Sequence, residues 1–241
     1  SLLNICQNQS NVQIKTNNNI GTIKWYNQQF DSVSTSTQPI INTSSVGIQY
    51  LWASNEINNC ESDKRQIQLN TLPNPNLTAI TPDMICYGDT LQIKLNFEGT
   101  PNFTLVYENE GIRNTLNTKI EDNNIYLLPN NDNNVKFISL TDSYCVTNYL
   151  NYLQSYIVKQ LPTVRVIAQD TICNNQSITL NVQTNINTAY FTWANDNNLL
   201  LTKPQTLSYT TAQLIQNITN LTSEPQKLNY TIKGYNGGCL G

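Results

Sequence analysis

Cys86-Tyr87-Gly88-Asp89-Thr90-Leu91-Gln92-Ile93-Lys94-Leu95 reads as a cysteine, a polar turn and then a strand. Its alternation sets Leu91, Ile93 and Leu95 on one face, as a period of two requires. The same succession follows Cys6, as Asn11-Val12-Gln13-Ile14-Lys15, and Cys173, as Ser177-Ile178-Thr179-Leu180-Asn181-Val182. A second strand comes further along each stretch: Thr22-Ile23-Lys24-Trp25-Tyr26, Phe103-Thr104-Leu105-Val106-Tyr107 and Tyr190-Phe191-Thr192-Trp193. Trp25 and Trp193 lie 19 and 20 residues past their cysteines. An aromatic strand then closes each stretch: Ile48-Gln49-Tyr50-Leu51-Trp52, Val135-Lys136-Phe137-Ile138-Ser139-Leu140 and Leu228-Asn229-Tyr230-Thr231-Ile232. A second cysteine follows eight to ten residues after Tyr50, Phe137 and Tyr230.

The cysteines at 6, 60, 86, 145, 173 and 239 therefore fall into three pairs, with separations of 54, 59 and 66. This repetition predicts three modules, residues 1–72, 73–163 and 164–241. Their joints are Thr71-Leu72-Pro73-Asn74-Pro75 and Gln160-Leu161-Pro162-Thr163-Val164, where proline ends ladder pairing and stiffens the chain. A cysteine, an aromatic strand and a late cysteine follow the spacing logic of an immunoglobulin-like sandwich, two sheets about 10 Å apart. The expected fold class is all-β, tandem sandwiches with one disulfide per domain. Trp25, Tyr50, Phe137, Trp193 and Tyr230 are the expected core aromatics. An even cysteine count in matched pairs favours oxidation. Bridges Cys6–Cys60, Cys86–Cys145 and Cys173–Cys239 would each pin a turn to a first strand, worth about 4 kcal/mol in the chain-entropy model. The first module has no leading strand and the third no closing one, so an excerpt of a longer tandem protein is expected.

Composition excludes much else. The 241 residues hold no histidine, which removes Ser-His-Asp triads, HExxH zinc sites and His-based phosphoryl chemistry. Thirteen Lys and Arg against 16 Asp and Glu form no basic footprint, so neither nucleic acid nor anionic lipid is an expected partner. No apolar run approaches the roughly 20 residues of a membrane span, and no basic region precedes an apolar one at the start. A soluble chain without its own export signal and without membrane insertion is the expectation. The 39 Asn, 28 Thr and 15 Ser suit turns and solvent-facing strand positions rather than helix interiors.

Ile172-Cys173, Phe191-Thr192-Trp193, the stretch from Gln216 to Thr222, Asn229-Tyr230-Thr231-Ile232 and Gly237-Gly238-Cys239-Leu240-Gly241 together resemble the PKD-like domain repeated in giant Bacteroidota surface proteins. Ile85-Cys86-Tyr87-Gly88-Asp89-Thr90-Leu91 and Glu98-Gly99-Thr100-Pro101-Asn102-Phe103 are similar to sibling repeats of those proteins. Trp25-Tyr26 and Asn59-Cys60-Glu61-Ser62 resemble their Ig-like repeats. The resemblance implies an Ig-like first module, an Ig/PKD-like second and a PKD-like third, lacking its last strand. It also implies type IX secretion, an extracellular cell-surface location and a role in gliding motility or attachment. The implied partners are neighbouring repeats of the same chain, the secretion and gliding machinery, and surface polysaccharide. No cofactor and no catalytic residue are implied.

Candidate sites are few. Eight Asn-x-Ser/Thr matches are close to the number that 39 Asn and 43 Ser and Thr produce by chance, so the pattern carries no information. The Bacteroidota O-glycosylation pattern, Asp then Ser or Thr then an apolar residue, marks Ser32, Thr90 and Thr171. The Asp-Asn loops at 122–124, 130–134 and 196–198 offer one carboxylate each, too few for the usual calcium cage, so no metal is expected. Glu108 and Glu110 are two apart on one strand face and are expected in solvent rather than as a glycosidase pair. Tyr144, Tyr149, Tyr152 and Tyr156 around Cys145 are read as exposed aromatics, a run able to stack on sugar rings. Three functions fit: a non-catalytic spacer of a long adhesin, a carbohydrate-binding accessory region of a secreted polysaccharide-degrading enzyme, or a substrate or accessory subunit captured with the secretion and motility machinery.

Overall fold

The computed structural model describes residues 2–16, 20–35, 38–196, 207–209 and 212–241. Every regular element among them is a β-strand. Over residues 1–72, β1 (Leu2–Cys6), β2 (Thr22–Tyr26), β3 (Ser32–Ser34), β4 (Gly47–Ile57), β5 (Cys60–Glu61) and β6 (Arg65–Leu72) form one sheet. Its order is β1-β6-β4-β2-β3, with β5 paired to β4. β1 runs parallel to β6, Cys6 opposite Leu72, whereas β6 and β4 are antiparallel, Arg65 opposite Ala53. The inward side chains Ile5, Trp25, Leu51 and Leu69 are buried with Ile14 in a single core.

Asn11–Lys15 is irregular and not the expected strand. Ile14 still enters the core, because the side-chain amide of Gln38 stands in for a neighbouring strand. Its Oε1 accepts from the Ile14 N–H at 2.8 Å and its Nε2 donates to the Ile14 carbonyl at 3.2 Å. A buried segment keeps its apolar period as long as its backbone groups find partners of any kind.

Residues 73–163 contribute β7 (Asn76–Ile80), β8 (Met84–Cys86), β9 (Leu91–Glu98), β10 (Phe103–Asn109), β11 (Ile112–Thr118), β12 (Asp122–Leu127), β13 (Asn133–Thr141) and β14 (Val146–Lys159). They form a three-stranded sheet, β12-β9-β7, and a five-stranded one, β11-β10-β13-β14-β8. β9 alternates strictly: Leu91, Ile93, Leu95 and Phe97 are buried while Gln92, Lys94, Asn96 and Glu98 are exposed. β8 pairs in parallel with the end of β14, Cys86 opposite Lys159.

Residues 164–241 hold β15 (Val164–Ile167), β16 (Gln176–Thr184), β17 (Tyr190–Asn195), β18 (Leu207–Tyr209), β19 (Gln213–Ile218), β20 (Tyr230–Asn236) and β21 (Cys239–Leu240). Sheet β15-β16-β19 supplies Leu180, Val182 and Leu214 to a core closed from sheet β18-β17-β20-β21 by Phe191 and Trp193. Leu228 and Asn229 precede β20 instead of opening it. The chain divides into two compact units: Ser1–Thr81, Ile93–Ile125 and Asn134–Gln154 in one, Pro82–Gln92, Tyr126–Asn133 and Ser155–Gly241 in the other. The expected joints after residues 72 and 163 fall between β6 and β7 and between β14 and β15.

Candidate functional site: cysteine turns and a strand-flanked cavity

Each opening cysteine begins the same turn. The N–H of the residue three on donates to the cysteine carbonyl: Gln9 to Cys6, Asp89 to Cys86 and Gln176 to Cys173, at 3.1, 3.0 and 3.3 Å. Two residues past the cysteine the backbone is left-handed, with φ of 60° at Asn8, 88° at Gly88 and 61° at Asn175. Asn and Gly are the residues that accept this conformation cheaply. At two turns a Gln amide oxygen takes the cysteine N–H as well, Gln9 at Cys6 and Gln176 at Cys173, at 3.1 and 3.2 Å.

The closing cysteines also sit on tight turns. Cys60 pairs with Ile57 across Asn58-Asn59 (φ 48° and 62°), and Cys239 with Asn236 across Gly237-Gly238 (φ 59° and 93°). Two left-handed residues are what a two-residue hairpin of the right twist demands. Beyond each hairpin the Ser62 N–H donates to the Asn55 carbonyl at 2.9 Å and the Gly241 N–H to the Gly234 carbonyl at 3.0 Å. At Cys145 the turn is built by Asp142, whose Oδ1 accepts the N–H of Tyr144 at 2.8 Å and of Cys145 at 2.6 Å. Its Oδ2 accepts the Thr100 N–H at 2.9 Å.

The expected bridges Cys6–Cys60, Cys86–Cys145 and Cys173–Cys239 are replaced by two others. Cys6 bonds Cys145 and Cys86 bonds Cys239, with Cα–Cα separations of 5.6 and 5.4 Å, while Cys60 and Cys173 are free and exposed. Strand direction is the reason. Cys6 lies opposite Leu72 at the end of β6, whereas Cys60 lies before its start at Arg65. Eight strand residues put the two roughly 25 Å apart, far beyond the reach of a disulfide. In the second module Cys145 precedes the first residue of β14 and Cys86 is registered against its last.

A cavity of about 360 Å3 adjoins Cys173. Residues 169–174, Ile178, Ile218, Leu228 and Tyr230 are among its lining. Counted from their cysteines, residues 169–173 correspond to β1, and the run into Tyr230 corresponds to the start of β4. In the first module β6 lies between β1 and β4, and β14 lies likewise between β8 and β13. Thr171, on its wall, is exposed, as are Ser32 and Thr90 elsewhere.

The core aromatics separate by depth. Trp25, Phe137 and Trp193 are buried, Tyr230 is half-buried against the third core, and Tyr50 is half-buried 6.2 Å from the ring of Trp52. Burial pushes the Tyr230 phenol up to about 12, and its O–H donates to Gln216 Oε1 at 2.7 Å. Of the tyrosine run only Tyr144 is exposed, so the four do not make an exposed platform. Tyr156 is buried, and the Tyr152 ring packs 5.1 Å from Phe137 while its hydroxyl accepts the Ala79 N–H at 2.8 Å. Burial raises Tyr149 to about 12, partly offset by the Leu77 backbone. Glu108 stands opposite Arg113 and Lys136 on neighbouring strands, and Glu110 is exposed in the turn that joins β10 to β11.

The carboxylates of the Asp-Asn loops are engaged by protein donors: Asp122 by Asn96 at 2.7 Å, Asp132 by the Val158 N–H at 2.6 Å and Asp196 by the Asn229 N–H at 2.8 Å. The bonds to Asn229 hold Asp196 below the usual carboxylate range. Asn197 and Asn198 lie outside the described residues. Among the described residues no group of three His, Cys, Asp or Glu is placed to hold a metal, and no helix is long and apolar enough to cross a membrane.

Residues 170–241 match the family model of the PKD-like domain. No curated protein matches the chain. Among solved structures it is similar to Sidekick-1 immunoglobulin domains 1–5, at 13% identity over 91% of this chain and 50% of that one, with a TM-score of 0.34. The chain thus spans half the length of that five-domain structure. It is also similar to the fibronectin(III)-like modules of Clostridium thermocellum CbhA, at 14% identity over 61% of this chain and 83% of that one, TM-score 0.34. Titin Ig tandem domains A164–A165 align at 12% identity over 57% of this chain and 81% of that one, TM-score 0.25.

Proposed function

We propose that this chain is a non-catalytic spacer segment of a long cell-surface adhesin, one that provides reach and mechanical continuity. The observation that carries the reading is the pair of long-range disulfides, each joining an opening cysteine to the closing cysteine of the next module. Such staples hold successive β-modules in register under load and outlast extracellular conditions. The PKD-like match of residues 170–241 supports a repeat domain of the kind that serves architecture rather than chemistry.

The finer reading follows the resemblance of the sequence motifs. The parent is a Bacteroidota surface protein similar to the gliding-motility adhesin SprB, exported by type IX secretion and located outside the outer membrane. Its partners are neighbouring repeats, the secretion and gliding machinery, and surface polysaccharide. Ser32, Thr90 and Thr171, all exposed, carry O-glycans in that setting. Antibodies raised against the purified chain test the reading on intact cells of the source organism. Surface label that a protease added outside removes is the expected result. Label that appears only after permeabilisation overturns it.

A further inference from the structure

Opening cysteines Cys6 and Cys86 are each bonded to the closing cysteine of the module after their own, Cys145 and Cys239. The remaining opening cysteine is Cys173 and the remaining closing one is Cys60, and these two are free. Their surroundings match those of their bonded equivalents. Cys173 has the turn of Cys6 down to the glutamine that caps its N–H, and Cys60 has the two-residue hairpin of Cys239. Exposure is what differs. Bonded Cys145 and Cys239 are 3% and 1% exposed, whereas Cys60 is exposed. Cys6 and Cys86 are half-buried and Cys173 is exposed.

We propose that Cys173 is the opening half, and Cys60 the closing half, of further bridges of the same kind, to modules adjoining this segment in a continuous array. Cys173 takes the closing cysteine of the module that follows, and Cys60 takes the opening cysteine of the module that precedes. Each bridge forms when two thiols give up two electrons and two protons to a disulfide oxidant, which leaves as the dithiol. The rule staples every module to its successor and leaves unpaired thiols only at the ends of an array. It concerns any array of these modules, so it stands or falls separately from the surface role proposed above.

The test extends the full chain after Gly241 with its own residues 63–163, a join that keeps register because the Ser62 and Gly241 N–H groups make the same hairpin bond. Non-reducing peptide mapping after alkylation should show Cys173 linked to the appended copy of Cys145, with Cys60 and the appended copy of Cys86 alkylated. Changing that appended Cys145 to Ser should return Cys173 to the alkylated pool. Cys173 alkylated or linked elsewhere, with Cys6–Cys145 and Cys86–Cys239 intact as proof of folding, overturns the proposal. A second measurement needs no extension. In a glutathione redox buffer the 241-residue chain should form Cys60-to-Cys173 links between molecules in excess over Cys60–Cys60 and Cys173–Cys173 links, and a statistical mixture contradicts the rule.

Discussion

Cys86 and Cys239 are 153 residues apart in the chain and 5.4 Å apart between Cα atoms. A loop of that length loses much of its unfolded-state freedom when closed, about 5 kcal/mol in the chain-entropy model, with about 2–4 kcal/mol typical of measurement. Replacing both residues with serine is expected to lower the denaturant midpoint of the oxidised protein accordingly. In the presence of reductant the variant and the parent should unfold together. A variant as stable as the oxidised parent would show that the bridge is not formed.

Gly99 carries a second expectation. Its φ is 144°, and an added Cβ would lie 2.8 Å from Asp142 Oδ2 and 3.2 Å from Pro75 Cβ. That carboxylate holds the N–H groups of Thr100, Tyr144 and Cys145, so Gly99→Ala displaces the group that shapes the Cys145 turn. Asp142→Ala leaves the same donors unsatisfied, at about 1–3 kcal/mol. Both variants should unfold at lower denaturant, and a Gly99→Ala protein as stable as the parent would contradict the close approach.

Tyr152 is tied to the fold by its hydroxyl, which accepts from the buried Ala79. Tyr152→Phe should cost about 1–2 kcal/mol by orphaning that N–H. A sugar platform would instead predict unchanged stability with weakened binding to a polysaccharide, a result that calorimetry and unfolding curves separate.

Acid sensitivity is expected at Glu61. Ser54 and Tyr26 donate to its Oε1 at 2.6 Å each, and Lys64 lies 3.4 Å away. These bonds, Ser54 first, lower its pKa to about 2. The unfolded glutamate titrates near about 4.3, so between these values the unfolded chain binds the extra proton. The contribution is complete above about pH 4.3 and is lost as pH falls toward 2. Unfolding curves of the parent and of Glu61→Gln should converge over this window. Curves that stay parallel from pH 6 to pH 2, about four units spanning the window, would contradict the assignment.

Period and punctuation were legible in the sequence because they are local. Thr22–Tyr26 is β2 as read, and the alternation Leu91 to Leu95 runs on through Phe97. Trp25 and Trp193, placed by their distance from a cysteine, are buried in two separate cores. The strand read at 11–15 fails because a side chain, Gln38, supplies its backbone partners, and no spacing rule encodes that. Tyr156 and Tyr152 turn inward because their strand is covered on a face that a list of tyrosines does not reveal. The cysteine partners differ from the expected pairs for a longer-range reason: cysteines near in sequence are not near in space when a strand the length of β6 separates them along the sheet. Only its direction shows that Cys60 ends up far from Cys6.

Peptide mapping of the purified, unreduced chain under alkylation is the most direct test of the module-to-next-module staple. Linked peptides containing Cys6 with Cys145 and Cys86 with Cys239, and carbamidomethyl groups on Cys60 and Cys173, are the predicted result. Links of Cys6 to Cys60, Cys86 to Cys145 or Cys173 to Cys239 would contradict it.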